Sequence, residues 1–325
     1  MQVLENNELA RERQPIRTIR STYITSIVSL ECNRNSGQTC GIAVISLGLL
    51  SIGQAIGGVK DFSTPQTVQG LFGVLILSCA VNGSLKRSLT KFLLDSKNQG
   101  KIFLLPIAAS SSIFLYRTFF LNGEPEFRSY LRTVQEGSII EWSSFVFLIA
   151  SSVLLLKAAR RWRKPAGHWI LLAAASGAFI VGMEEMSWGQ MIFNWGTPSF
   201  FHQYNVQDET GLHNLWFIHE HTWTIASIII SIAFALSVLS GLQRSRGMVK
   251  ARSIADILLP LGCTASYFFV ASIFSWCTVV EKSGTDLISF HTREQEIGEL
   301  FFYSGILIHS MHLYFTSPTH TQSKE

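Results

Sequence analysis

Residues 182–205 read GMEEMSWGQMIFNWGTPSFFHQYN, so two adjacent carboxylates, Glu184 and Glu185, close an apolar run and open a tryptophan-rich loop. Histidines follow at His213, His219 and His221, and further carboxylates stand at Glu141 and Glu299. Carboxylates and imidazoles at this density can hold a divalent metal such as zinc. Glu185, His213 and one of His219 or His221 would supply three N/O ligands and leave a position open for water. Glu299 is the expected general base, with Glu184 and Glu141 as further catalytic candidates. There is no HExxH, and IHEH at 218–221 is not a zinc signature, so the chemistry rests on the constellation and not on a motif.

The elements that must position these residues are membrane helices. The chain has 325 residues, 47% hydrophobic and only 15% charged, which is unusual for a soluble protein of this size. A hydrocarbon core of about 30 Å needs about 20 apolar residues in a helix. Eight stretches qualify: Cys40 to Val59, Thr67 to Leu85, Ile102 to Leu121, Ile139 to Leu156, Trp169 to Met186, Leu215 to Leu239, Ile254 to Val280 and Ile297 to Phe315. Of the 26 Lys and Arg, 20 fall in alternate connections on one side, 5 on the other, and Arg117 lies inside a span. Positive charge near span ends stays cytoplasmic, so both termini are expected there.

The expectation is therefore an all-α, multi-pass bundle of a bacterial-type plasma (inner) membrane. Residues 1–39 form a cytoplasmic arm, 40–316 the eight-span domain and 317–325 a flexible cytoplasmic tail. The first twenty residues are charged and lack the apolar core of a signal peptide. The five cysteines form no CxxC pair or ligand-spaced cluster. Membrane lipids are the expected partners, and nothing in the sequence identifies a protein partner. Nucleic acid is excluded, because the basic residues flank spans, where headgroups and the orientation rule account for them.

On this topology Glu184, Glu185, Glu141, His213, His219, His221, Glu296 and Glu299 all sit near span ends on the outer side. A charge within a span costs about 2.5 to 3.5 kcal/mol on insertion scales, so such groups face the bundle interior, a partner or water. Glu296, Glu299 and Tyr303, spaced i, i+3, i+7, share one helical face, as do Asn214, Phe217 and His221. His219 and His221 diverge by about 200° and cannot both serve one site. Glu184 and Glu185 are about 100° apart. Glu185 is expected to face inward, with Trp188 one turn later on its face, while Glu184 meets the interface or Arg117. The aromatics from Phe193 to Tyr204 fit either an interfacial belt or a cap re-entering the outer leaflet. Ala174, Ala178 and Gly182 form a small-residue stripe suited to close helix packing. His309 and His312 mark a helix end on the cytoplasmic side.

EEMSWGQ at 184–190, followed by NVQDETGLHN at 205–214 and preceded by EGSIIEW at 136–142, resembles a pattern in uncharacterised bacterial polytopic membrane proteins. In those a version of EEISWGQR precedes NVQ-E-NLHN. Met191 stands where that pattern has Arg. The resemblance covers the fourth to sixth spans and implies a membrane bundle but no activity.

The leading function class is a metal-assisted, lipid- or envelope-directed hydrolase or transferase. A proton-coupled transporter and a non-catalytic assembly or structural protein are the alternatives. Whether the protein is an enzyme stays open on the sequence alone. The topology is testable. In a background without native cysteines, Lys60→Cys, Trp195→Cys and Ser283→Cys should react with an impermeant maleimide added outside intact cells. Asn98→Cys and Arg246→Cys should react only after permeabilisation, and outer labelling at Asn98 contradicts the assignment.

Overall fold

The computed structural model describes Phe92 and residues 95–121, 124–134, 138–162, 164–193, 195–285 and 291–317. All of these lie in the second of two compact units, Ile45–Glu325. The first two expected spans, the N-terminal arm and the tail beyond Ser317 lie outside them.

The described residues are helical, with no strand among them. In chain order the helices are α1 (Ser96–Phe120), α2 (Glu124–Thr133), α3 (Ile139–Arg161), α4 (Pro165–Glu185), α5 (Gln190–Phe193), α6 (Ser199–Tyr204), α7 (Trp216–Ser245), α8 (Ile254–Leu258), α9 (Ala265–Lys282) and α10 (Gln295–Thr316). Capping sets several boundaries. Asp95 accepts from the Lys97 amide at the start of α1, and Ser138 accepts from Ile140 at the start of α3. Pro165 opens α4, where its missing N–H costs nothing.

Among the described residues, five stretches are long and apolar enough to cross a membrane: Lys97–Phe120, Ile139–Arg161, Pro165–Glu185, His221–Ser245 and Ile254–Lys282. Each overlaps an expected span. The stretch expected as one helix from Ile254 to Val280 is broken, however. Pro260 forces Leu259 into extended backbone and ends α8 one residue earlier, and α9 restarts at Ala265. The last expected span is also a helix, the 22-residue α10, but it is too polar to count among the five. Its place explains that composition. α10 packs on both α3 and α9 and buries residues on several faces, including Glu296, Tyr303, Ser310 and His312. A helix packed between two others needs less lipid-compatible surface.

Around α10, α3 pairs with α4, α7 with α9, and α9 with α1. Gly298 and Gly305 allow this closeness, since a Cβ at either would lie 2.6 Å from Phe274 or Phe268. Along α7 and α9, Ser227 meets Ser275 at 2.6 Å and Ser231 meets Ser272 at 2.9 Å. Such interhelical bonds contribute about 0.6 to 2 kcal/mol each in membranes. The expected small-residue stripe on α4 is met at Gly182, half-buried at Ala178 and not met at Ala174. Ala174 is exposed, and the buried face is Gly167, Leu171, Ala175 and Gly182, with Gly182 against Leu148 and Ile149 of α3.

The antiparallel order places two polar clusters at opposite ends of the bundle. At one end the break before α9 carries Asp256 inward. Asp256 Oδ1 pairs with Arg244 at 2.7 Å and His312 at 3.1 Å, and Oδ2 accepts from the Arg252 amide at 2.9 Å. His309 Nε2 meets the Ile257 carbonyl at 3.0 Å. His309 and His312 therefore bind the broken segment to α10. Glu141, Glu185, Lys282, Glu296 and Glu299 occupy the other end.

Candidate functional site

Helix α4 ends on Glu184 and Glu185, where the backbone turns through three successive left-handed residues, Ser187 (φ 46°), Trp188 (φ 55°) and Gly189 (φ 95°). Two of them carry side chains, and such conformations persist only where the surroundings enforce them. Here the enforcement comes from residues 205–214. The Leu212 amide at 2.7 Å, the His213 amide at 3.0 Å and His213 Nδ1 at 2.9 Å all donate to Glu184 Oε2. Trp188 Nε1 donates to Glu184 Oε1. Ser187 Oγ donates to Glu209 Oε2 at 2.7 Å, and Gln190 Oε1 accepts from the Thr210 amide at 2.7 Å. Thus Glu184, Ser187 and Gln190 of EEMSWGQ each grip NVQDETGLHN. Within the second segment, Asn205 Nδ2 donates to Gly211 O, and its Oδ1 accepts from the Gln207 amide, both at 2.8 Å.

Glu184 is therefore the anchor of a clasp. Trp188 does not share the face of Glu185, because the helix has already ended and its indole turns back to Glu184. Arg117 is likewise engaged elsewhere. Its Nη1 lies 2.5 Å from Glu294 Oε2, whose other oxygen accepts from Tyr130 OH at 2.6 Å. Burial, and then the Glu294 charge, raises the Tyr130 pKa, so the phenol remains a donor. α2, which carries Tyr130, was read from sequence as a plain connection. The apolar spacing of Phe127, Tyr130, Leu131 and Val134 was the signal that could have marked it.

Glu185 points into the bundle. Carboxylate oxygens of Glu185, Glu296 and Glu299 all lie within 4.8 Å of one another, and this is the one group of potential metal ligands among the described residues. Tyr303 OH donates to Glu185 Oε1 at 2.9 Å. Glu296, Glu299 and Tyr303 therefore meet the end of α4 on the face that their spacing implied. Glu296 is the member that the metal and catalytic candidates omitted, although the same spacing included it. Glu141, in the first turn of α3, is near enough for its charge to act on both Glu185 and Glu299.

The histidines do not join this cluster. α7 begins only at Trp216, so His213 belongs to the loop and is spent on Glu184, and Asn214 lies off the helix. His221 is exposed. His219 is half-buried near Lys282, and burial, followed by the Lys282 and His213 charges, lowers its pKa. Of the expected set of Glu185 with two histidines, the structure brings only Glu185 into the group, together with Glu296 and Glu299.

The residues between α4 and α7 expose a run of aromatic and apolar side chains. Phe193 stacks on Trp195, and Phe200, Tyr204, Trp216 and Phe217 are exposed beyond them. Compared with known proteins, the chain matches no protein-family model, no curated protein and no solved structure.

The clasp makes a direct prediction. In Glu184→Ala, the Leu212 and His213 amides lose their acceptor, and hydrogen exchange across 205–214 should accelerate by at least about tenfold. Exchange at Glu296 to Tyr303 should change little. Unaltered exchange at 205–214 contradicts the anchoring role.

Proposed function

We propose that this chain is a multi-pass enzyme of a bacterial plasma membrane that hydrolyses or transfers a group on a lipid- or envelope-derived substrate. It would use a hard divalent cation held by Glu185, Glu296 and Glu299. The convergence of those three carboxylates within 4.8 Å carries the reading. Three negative charges in a partly buried bundle end need a compensating cation or shared protons. Among the described residues Glu184 accepts four hydrogen bonds, whereas Glu185 accepts one from Tyr303 OH, Glu296 accepts from Gln295 Nε2 at 3.4 Å, and no described hydrogen bond reaches Glu299. Glu185 also sits at the C-terminal end of α4, where the helix dipole disfavours an anion by about 0.3 to 1 kcal/mol.

An all-oxygen set suits Mg2+, Mn2+ or Ca2+, in place of the zinc that a histidine set favours. A cation held by these residues would supply polarisation of the group under attack and acidification of water. Glu141, whose charge reaches the cluster, would take the water proton and return it to the leaving group. The eight-span topology, with both termini cytoplasmic and the carboxylates facing outward, belongs to the same proposal. It is supported by the alternation of positive charge and by the exposed aromatics beside the site, which suit a membrane interface. The bonds between the two halves of the motif support treating them as one unit, as the resemblance to bacterial membrane proteins implies.

Full-length protein stripped with chelator should bind one Mn2+ per chain. Glu296→Gln and Glu299→Gln should each weaken that binding by about tenfold or more, in line with the loss of a charged ligand. Wild-type protein that takes up none of Mn2+, Mg2+ or Ca2+ overturns the proposal.

A further inference from the structure

Beside the carboxylates, at the same end of the bundle, stands a group of the opposite polarity. α9 ends on Lys282, whose Nζ lies 4.5 Å above the Trp223 ring of α7. No carboxylate among the described residues forms an ion pair with it, and its nearest acidic influence is Glu299. Trp223 Nε1 is buried and has no hydrogen-bond partner among the described residues. A buried N–H without an acceptor is costly in a membrane bundle, and it signals a missing acceptor. His219 lies one turn before Trp223 on the same face of α7, and it feels the Lys282 charge.

Lys282 is itself exposed, and Arg117, a part-buried basic side chain at this end, is committed to Glu294. Lys282 therefore offers a positive charge next to an unmatched donor and the His219 imidazole. Together they ask for an oxyanion with several acceptor oxygens. Three features select phosphate. It bridges a lysine and a carboxylate-held hard cation, since both bind its oxygens. Its several oxygens can serve Lys282, the indole N–H and His219 together. It is also the anion carried by lipid headgroups at the interface, the depth that the exposed aromatics mark.

We infer that Lys282, Trp223 Nε1 and His219 form a phosphate subsite beside the Glu185, Glu296 and Glu299 centre, so that the substrate of that centre carries a phosphate group. The inference of a substrate rests on the cation reading above, while the subsite itself does not. The phosphate could belong to a lipid headgroup or to a water-soluble phosphate compound.

The test uses full-length protein, stripped or loaded with Mn2+, and two probes. One is inorganic phosphate followed by calorimetry. The other is phosphatidic acid in phosphatidylcholine nanodiscs, followed as retained lipid by native mass spectrometry. At least one probe should bind. Lys282→Gln should weaken it about tenfold and Trp223→Phe severalfold, as expected for losing a charge-assisted and a neutral hydrogen bond. Lys282→Arg should restore most of the affinity. Binding of phosphatidic acid alone identifies a headgroup source, and binding of inorganic phosphate identifies a soluble one. Mn2+ binding serves as the folding control, because neither Lys282 nor Trp223 is a ligand: Trp223→Phe should leave the affinity unchanged, and Lys282→Gln, which removes a positive charge acting on Glu299, should hold or strengthen it. If Mn2+ binds and neither phosphate probe does, or if both substitutions leave probe affinity unchanged, the subsite is overturned while the cation centre stands. Probe binding that depends on Lys282 in protein unable to bind any cation sustains the subsite and removes the metal reading.

Discussion

The arrangement depends on bringing three carboxylates together at the end of a membrane bundle. Glu185 arrives on the last turn of α4, and Glu296 and Glu299 on the first turns of α10. Their mutual repulsion in a low-dielectric setting is what the surroundings must offset. Helix α10 makes the convergence possible by running through the middle of the bundle, where Gly298 and Gly305 accept the rings of α9 at close range. Its buried Asp256 contact through His312 fixes the far end. The helix is therefore held at both ends by polar contacts and along its length by close apolar packing.

The neighbouring glutamates divide their labour by partner. Glu184 faces four donors from its own turn and from residues 212–213, which makes it a structural anion. Glu185, one residue on, has a single phenolic donor and two carboxylate neighbours, and it is the member whose charge the proposed cation would offset. The angle of about 100° between successive helical residues separates these two environments, and the three left-handed residues that follow turn Trp188 back to Glu184 alone. The clasp also holds the exposed aromatics beside the site, linking the carboxylates to the surface where a lipid substrate would approach.

Much of this was legible in the sequence. Apolar run length located α1, α3, α4 and α7, and the i, i+3, i+7 spacing put Glu296, Glu299 and Tyr303 on one face. The inward choice of Glu185 also agrees with the structure, although its stated reason does not. Trp188 was assumed to continue the helix, and only the tertiary contacts of Glu184 and residues 209–213 reveal the turn that redirects it. The same limit applies to the histidines. Periodicity extended α7 back through Asn214, whereas loop hydrogen bonds begin it at Trp216 and leave His213 to Glu184. Pro260 was visible and its consequence was physical, but an apolar run of that length concealed the break. α10 shows the converse, since its polarity weakens it as a span by composition and is explained by burial among other helices.

The central claim is that Glu185 and Glu299 act on one shared cation, and a double-mutant cycle on Mn2+ affinity tests it most directly. Glu185→Gln, Glu299→Gln and the double substitution would be titrated side by side in full-length protein. If the two carboxylates serve one ion, removing the second after the first should cost far less than removing it from the wild type. Strictly additive losses would mean that the two residues act independently, and would contradict a shared centre.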